Sequence, residues 1–176
     1  MPEQMWVYVF LAILGIERVV EMFIARRNER RLLSMGAKEY GRSFSKVLFA
    51  FHGLWFLSFA VEGVVAESRP LVSPAWIVGA LLLMQSLRYW CIVSLGSFWN
   101  TKIIVLSGAH IVRSGPYRWL THPNYWVVRI EMALYPALFG CFFTAIVFGA
   151  VNLVMLQWRI AEEENALRSM QGRIHP

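Results

Sequence analysis

Three long apolar runs constrain this chain more than any other feature. They lie at about residues 5–25, 46–65 and 74–95. Each is near the roughly 20 residues that an α-helix needs to cross the hydrocarbon core of a bilayer. Two shorter runs follow, at about residues 124–138 and 141–158, joined by "LYPALFG". Pro136 and Gly140 predict a tight helix–turn–helix there. A mean hydropathy of +0.49 over the chain fits this reading. The expectation is an all-α integral membrane protein of about five transmembrane helices, residues 1–176 forming a single domain. "MPEQMWVYVF" carries an acid rather than a basic start, and no small-residue cleavage site follows it. It reads as a retained span rather than a signal peptide.

Basic residues give an orientation. The first loop, "RRNERRLLSMGAKEYGRSFSK", holds Arg26, Arg27, Arg30, Arg31, Lys38, Arg42 and Lys46. The second, "VEGVVAESRPLVSP", holds only Arg69. The positive-inside rule puts the first loop in the cytoplasm and the second outside. Five crossings then leave the N-terminus outside and the C-terminus cytoplasmic. The formal charge is +6 and the isoelectric point about 9.7. Because the charge is concentrated in one membrane-flanking block, it predicts an anionic lipid surface and not nucleic acid.

Charged residues inside the spans need partners. Glu17 and Glu21 share a helix face and are expected to pack at the interface against Arg26 or another loop arginine, or else to line a polar pocket or pair with basic residues of other helices. Arg129 and Glu131 are two residues apart and are expected to find different partners, with Arg88 also ion-paired. His52 reads as a satisfied interfacial histidine, and Cys91 and Cys141 as small buried hydrophobes. The chain contains no aspartate and four scattered histidines, so no metal site is expected. GxGxxG, Walker, GxSxG and HExxH patterns do not occur.

Two polar clusters remain, both on the predicted cytoplasmic side. One is "AHIVRSGPYRWLTHPNY", preceded by "TKIIVLSG", whose two β-leaning runs around a glycine predict a hairpin or extended loop. Gly115-Pro116 breaks the chain again, and Pro123 is expected to open the fourth helix. Free backbone N–H groups there would suit an anionic group. The other cluster is "WRIAEEENAL", which continues the last span as a helix. Arg159 and Glu163 share a face there. On spacing alone they would simply pair where a charged helix end meets water. Tyrosine and tryptophan beside a basic loop suit a cationic or heteroaromatic ligand.

These elements, in this order, resemble the isoprenylcysteine carboxyl methyltransferase family of membrane methyltransferases. The first loop is also similar to a short bacterial branch whose members resemble alkylpyrone and alkylresorcinol O-methyltransferases. The resemblance implies S-adenosylmethionine as methyl donor and a cofactor segment at about residues 100–125 and 158–168. It implies cofactor contacts from Lys102, His110, Ile111, Val112, Gly115, Tyr117, His122, Pro123, Asn124, Tyr125 and Glu163. Arg159 would face the acceptor as the catalytic residue. It further implies an amphiphilic, lipid-like acceptor and a bacterial plasma membrane, with the active site on the cytoplasmic face. The family's arginine before His-Pro is Thr121 here, and Arg118 could take its place in space. An acidic oxygen is the expected acceptor, since no clear general base is visible. The alternatives from the sequence are a phospholipid amine N-methyltransferase, a membrane NADPH-dependent reductase, and a non-enzymatic membrane scaffold or transporter.

Overall fold

The computed structural model describes residues 5–67 and 69–171. Five helices dominate: α1 (Met5–Ser34), α2 (Arg42–Val65), α3 (Pro74–Leu95), α4 (Pro123–Leu138) and α5 (Phe142–Gln171). Two three-residue strands, β1 (Lys38–Tyr40) and β2 (Ile103–Val105), pair antiparallel with Tyr40 opposite Ile103. The protein is therefore helical with one small sheet added. Among the described residues, the segments Arg42–Val65, Pro74–Phe98 and Phe142–Ser169 are long and apolar enough to cross a membrane. Their outward faces carry Phe49, Val65, Trp76, Val93 and Ile146, all exposed. A lipid-facing surface accounts for that, because lipid does not penalise apolar exposure. The chain is an integral membrane protein.

The helix ends follow their sequence signals. Pro74 and Pro123 occupy the first turns of α3 and α4, where a missing N–H costs nothing. α4 closes after Pro136, and Gly140, at φ 75°, turns the chain into α5. The Cys141 N–H donates to the Pro136 carbonyl at 2.9 Å, sealing that turn. The start of α5 is capped from α2. The Glu62 carboxylate accepts the N–H groups of Phe143 and Thr144 and the Thr144 hydroxyl. A carboxylate there satisfies open donors and complements the helix dipole.

Aromatic residues fill the centre of the bundle. Phe10, Phe59, Tyr135 and Phe139 stack edge-on or tilted, with centroids 5.0–6.4 Å apart. Beside them lies an ion cluster that ties α1, α3 and α4 together. Arg88 is 4% exposed, bonded to Glu131 and 3.5 Å from Glu21. Arg18 bonds Glu21 at 2.8 Å and approaches Glu131 at 3.9 Å. Glu21 thus pairs with in-span arginines and not with a loop arginine. Arg129 is not in this cluster; its guanidinium lies 4.8 Å over the Trp126 ring. The His52 Nδ1–H donates to the Leu48 carbonyl at 2.8 Å, and both cysteines are buried.

Of the two forms expected within residues 101–115, a hairpin or an extended loop, the hairpin does not form. β2 pairs with β1 of the first loop, and residues 109–114 run on without a ladder. The reason lies in the burial. Ile103 and Val105 face inward against Tyr40, Ala166 and Leu167, so the apolar side of β2 is used by α5. The edge next to it is supplied by the turn that leaves α1. That helix runs well past the expected residue 25, and its extension holds the segment after α3. Asn28 donates its amide to the carbonyls of Gly96 and Trp99, at 3.1 and 2.8 Å. Asn100 donates to the Ala25 carbonyl at 3.2 Å.

Candidate functional site

Three pieces of chain meet where β2, the start of α4 and the second half of α5 converge. They enclose a cavity of about 270 Å³, close to the lower end of the roughly 300–1,000 Å³ usual for small-ligand sites. Lys102, His110, Ile111, Val112, Tyr117, His122, Asn124, Tyr125, Arg159 and Glu163 all line it, with Thr121 at its edge. Gly115 and Pro123 do not. They shape its walls instead. Pro123 begins α4, and Gly115, at φ 55°, lies so close to α3 that a Cβ there would be 2.0 Å from Ser94 Oγ.

The start of α4 contributes unsatisfied polar atoms. Asn124 Oδ1 and His122 Nε2 are buried without a hydrogen-bond partner. Glu164 Oε1 is 3.6 Å from that histidine nitrogen, too far for a hydrogen bond. The His122 ring stacks on Tyr125 with centroids 5.4 Å apart. Buried polar atoms left open beside a cavity are costly unless a ligand or water completes them.

Arg159 and Glu163 do not form the surface pair that their spacing allows. The Tyr125 hydroxyl stands between them. It donates to Glu163 Oε2 at 2.5 Å and accepts from Arg159 Nε at 3.2 Å. Arg159 is 3% exposed. Its other nitrogens donate to Ser45 Oγ at 3.2 Å and the Thr101 carbonyl at 3.0 Å. None of these partners is a carboxylate. Burial holds the Tyr117 phenol well above the ordinary tyrosine range, with the Cys91 thiol and Glu163 adding to the effect. It therefore serves as a neutral wall and hydrogen-bonding group.

Lys102 lines the cavity, but its ammonium is already engaged, 2.5 Å from Glu29 and 3.7 Å from Glu39. Those acids come from α1 and β1. Arg118 ends the short 3-10 turn Gly115–Arg118; it is exposed and lies outside the cavity lining. Among the described residues no group of three or more histidine, cysteine or glutamate side chains could hold a metal ion. Sequence reasoning missed Ser45, Thr101 and Glu29. Their signals were weak, since each lies in a segment that reads as loop or helix flank.

Comparison with known proteins settles the family. The family model for isoprenylcysteine carboxyl methyltransferase matches residues 77–169. The chain belongs to the isoprenylcysteine carboxyl methyltransferase family. It is a membrane methyltransferase of that family. Relatives include the uncharacterized protein YpbQ of Bacillus subtilis, 39% identical over 161 residues, which cover 92% of this chain and 96% of that one. An uncharacterized protein of Haemophilus influenzae is 29% identical over 160 residues, covering 90% and 92% respectively. The matched segment runs from α3 to the end of α5, so it contains the cavity but not β1 or Ser45.

Proposed function

We propose that this protein transfers a methyl group from S-adenosylmethionine to an acidic oxygen of a lipid-like acceptor. The proposed setting is the cytoplasmic face of a bacterial plasma membrane, with all five helices crossing or reaching deep into the bilayer. The observation that carries the reading is the cavity itself. It joins two unsatisfied buried acceptors or donors, on Asn124 and His122, to a buried arginine whose partners are all neutral.

The donor set fits such a cofactor. Glu163 offers an anionic oxygen to a polar group, and Tyr117, His122 and Tyr125 offer ring faces to a cationic or heteroaromatic one. The open Asn124 Oδ1 is an acceptor and suits a donor such as the cofactor's amino group. Ile103, Ile111 and Val112 provide the apolar side. When bound, S-adenosylmethionine supplies an electrophilic methyl group whose transfer neutralises the sulfonium.

The residues then have three tasks. The walls align donor and acceptor at near-attack distance, which is where most of the acceleration of such a displacement arises. The apolar lining excludes water and avoids over-stabilising charges that vanish as the reaction proceeds. Arg159 holds the acceptor oxygen in its ionised form. It lowers the pKa of an enol or phenol, and it orients a carboxylate that is already ionised. No general base is required on this reading.

Calorimetry on the detergent-solubilised protein tests it. Binding of S-adenosylmethionine or of its demethylated product is expected, and absence of both overturns the proposal. Labelled donor with a total lipid extract then shows which lipid takes the methyl. Label on a phospholipid amine would replace the acidic-oxygen reading.

A further inference from the structure

We infer that Ser45 is a positioning residue of this site: its hydroxyl fixes the direction of the Arg159 guanidinium toward the acceptor. The inference rests on the methyltransfer reading above and adds to it a residue outside the family-matched segment. A guanidinium carries five N–H donors in a rigid fork. Three are taken: one by Tyr125, one by the Thr101 carbonyl and one by Ser45. Two remain for a ligand. Which way they point depends on what holds the two terminal nitrogens, and these are held by Thr101 and Ser45.

The fold places those two oxygens as a unit. Tyr40 pairs with Ile103 across the two-stranded sheet. Thr101 lies two residues before Ile103, and Ser45 lies five residues after Tyr40. Gly41 makes the connection, at φ 58°. Its carbonyl accepts the Ser45 N–H at 2.9 Å, in the first turn of α2. A Cβ on Gly41 would touch Ile103 at 3.4 Å and the Glu162 carboxylate at 3.5 Å. The sheet, Gly41 and the start of α2 thus form one bracket around Arg159. This gives the small sheet a role. It brings the first loop, through Ser45, to the reacting end of the cavity.

Ser45 is neutral, and that matters. A carboxylate in its place would neutralise the guanidinium, as Glu131 does for Arg88. A hydroxyl orients the group and leaves its charge for the acceptor.

The test compares Ser45→Ala and Ser45→Thr with the unsubstituted protein, using labelled S-adenosylmethionine and a total lipid extract as the acceptor pool. Ser45→Ala is expected to lower kcat/KM for the lipid by about tenfold, as loss of one hydrogen bond to a charged group implies. Its dissociation constant for S-adenosylmethionine, from calorimetry, is expected to stay within about twofold, which also shows that the variant is folded. Ser45→Thr keeps the hydroxyl and is expected to recover most of the rate. Full activity in Ser45→Ala overturns the inference. So does an equal loss of cofactor affinity, which would mean a structural role only, and so does failure of Ser45→Thr to recover. No transfer by the unsubstituted protein overturns both this inference and the reading beneath it.

Discussion

Replacing Gly115 by alanine should impair the site without touching the cavity. Gly115 has φ 55°, a left-handed conformation that costs an L-residue about 1–2 kcal/mol. The added Cβ would also lie 2.0 Å from Ser94 Oγ, 2.9 Å from Ser94 Cβ and 3.0 Å from Trp90 Nε1. The hydroxyl and the half-exposed Trp90 ring can move away, but Ser94 Cβ is fixed to the α3 backbone. The loop must therefore retreat by roughly 0.5 Å to regain ordinary contact. Tyr117 follows two residues later, with its N–H bonded to the Ser114 carbonyl at 3.1 Å, so it moves too. A shift of about 1 Å in a positioning element can cost about 100-fold in rate; about tenfold is expected here. Cofactor titration and turnover are the assays. The double variant Ser94→Gly/Gly115→Ala removes the Ser94 contacts and leaves the backbone strain and the Trp90 contact. It should recover part of the loss. If Gly115→Ala behaves like the unsubstituted protein, or the double variant is no better than the single, close packing on Ser94 is not what places Tyr117.

Other substitutions separate the two ends of the cavity. Glu163→Ala and Tyr125→Phe should each weaken S-adenosylmethionine binding by about tenfold, read by calorimetry, since each breaks a charge-assisted hydrogen bond. Arg159→Ala should lower turnover by at least about 100-fold with a smaller change in cofactor affinity, a split that kinetics and calorimetry together would reveal. Glu131→Ala removes the carboxylate bonded to buried Arg88 and leaves Glu21 at 3.5 Å; a loss of about 3–5 kcal/mol and a fall in Tm of roughly 10 °C are expected in detergent. Tyr117 gives a pH dependence. Its phenol is raised in the folded protein, so its share of stability is full below about pH 10 and is lost as pH rises above that. Tyr117→Phe should flatten the alkaline limb of a Tm-against-pH profile.

The sequence made some elements legible because their causes are local. Apolar runs of membrane length, Pro123 at a helix start and Pro136 with Gly140 at a turn each act through their own neighbourhood. The strand pair was not legible for the opposite reason. Lys38–Tyr40 is three residues with no alternation to read, and its partner lies more than sixty residues away. The β-leaning run at Ile111-Val112 looked like the better partner, but Ile103 and Val105 needed a platform next to Ala166, and the turn after α1 supplies it. Gly115 shows a second limit. The family resemblance picked it out as a cofactor contact; the structure places it against Ser94, where it seats the loop.

Two buried arginines show how the fold divides structure from chemistry. Arg88 and Arg159 are 4% and 3% exposed, so both have lost most of their hydration, and both must recover it from protein groups. Arg88 does so with carboxylates, Glu131 bonded directly and Glu21 at 3.5 Å. Its charge is neutralised, and it ties α1, α3 and α4 together. Arg159 does so with a phenol, a hydroxyl and a backbone carbonyl. These satisfy donors without cancelling charge. A cation treated in this way keeps its charge, and on the proposed function an anionic oxygen entering the cavity would complete it. Glu163, one turn further along α5, could have done the same, but the Tyr125 hydroxyl bonds both and stands between them. Tyr125 therefore does more than line the cavity. It stands where the internal salt bridge favoured by the i, i+4 spacing of Arg159 and Glu163 would form, and on the proposed methyl transfer this leaves a carboxylate for the cofactor and a cation for the acceptor.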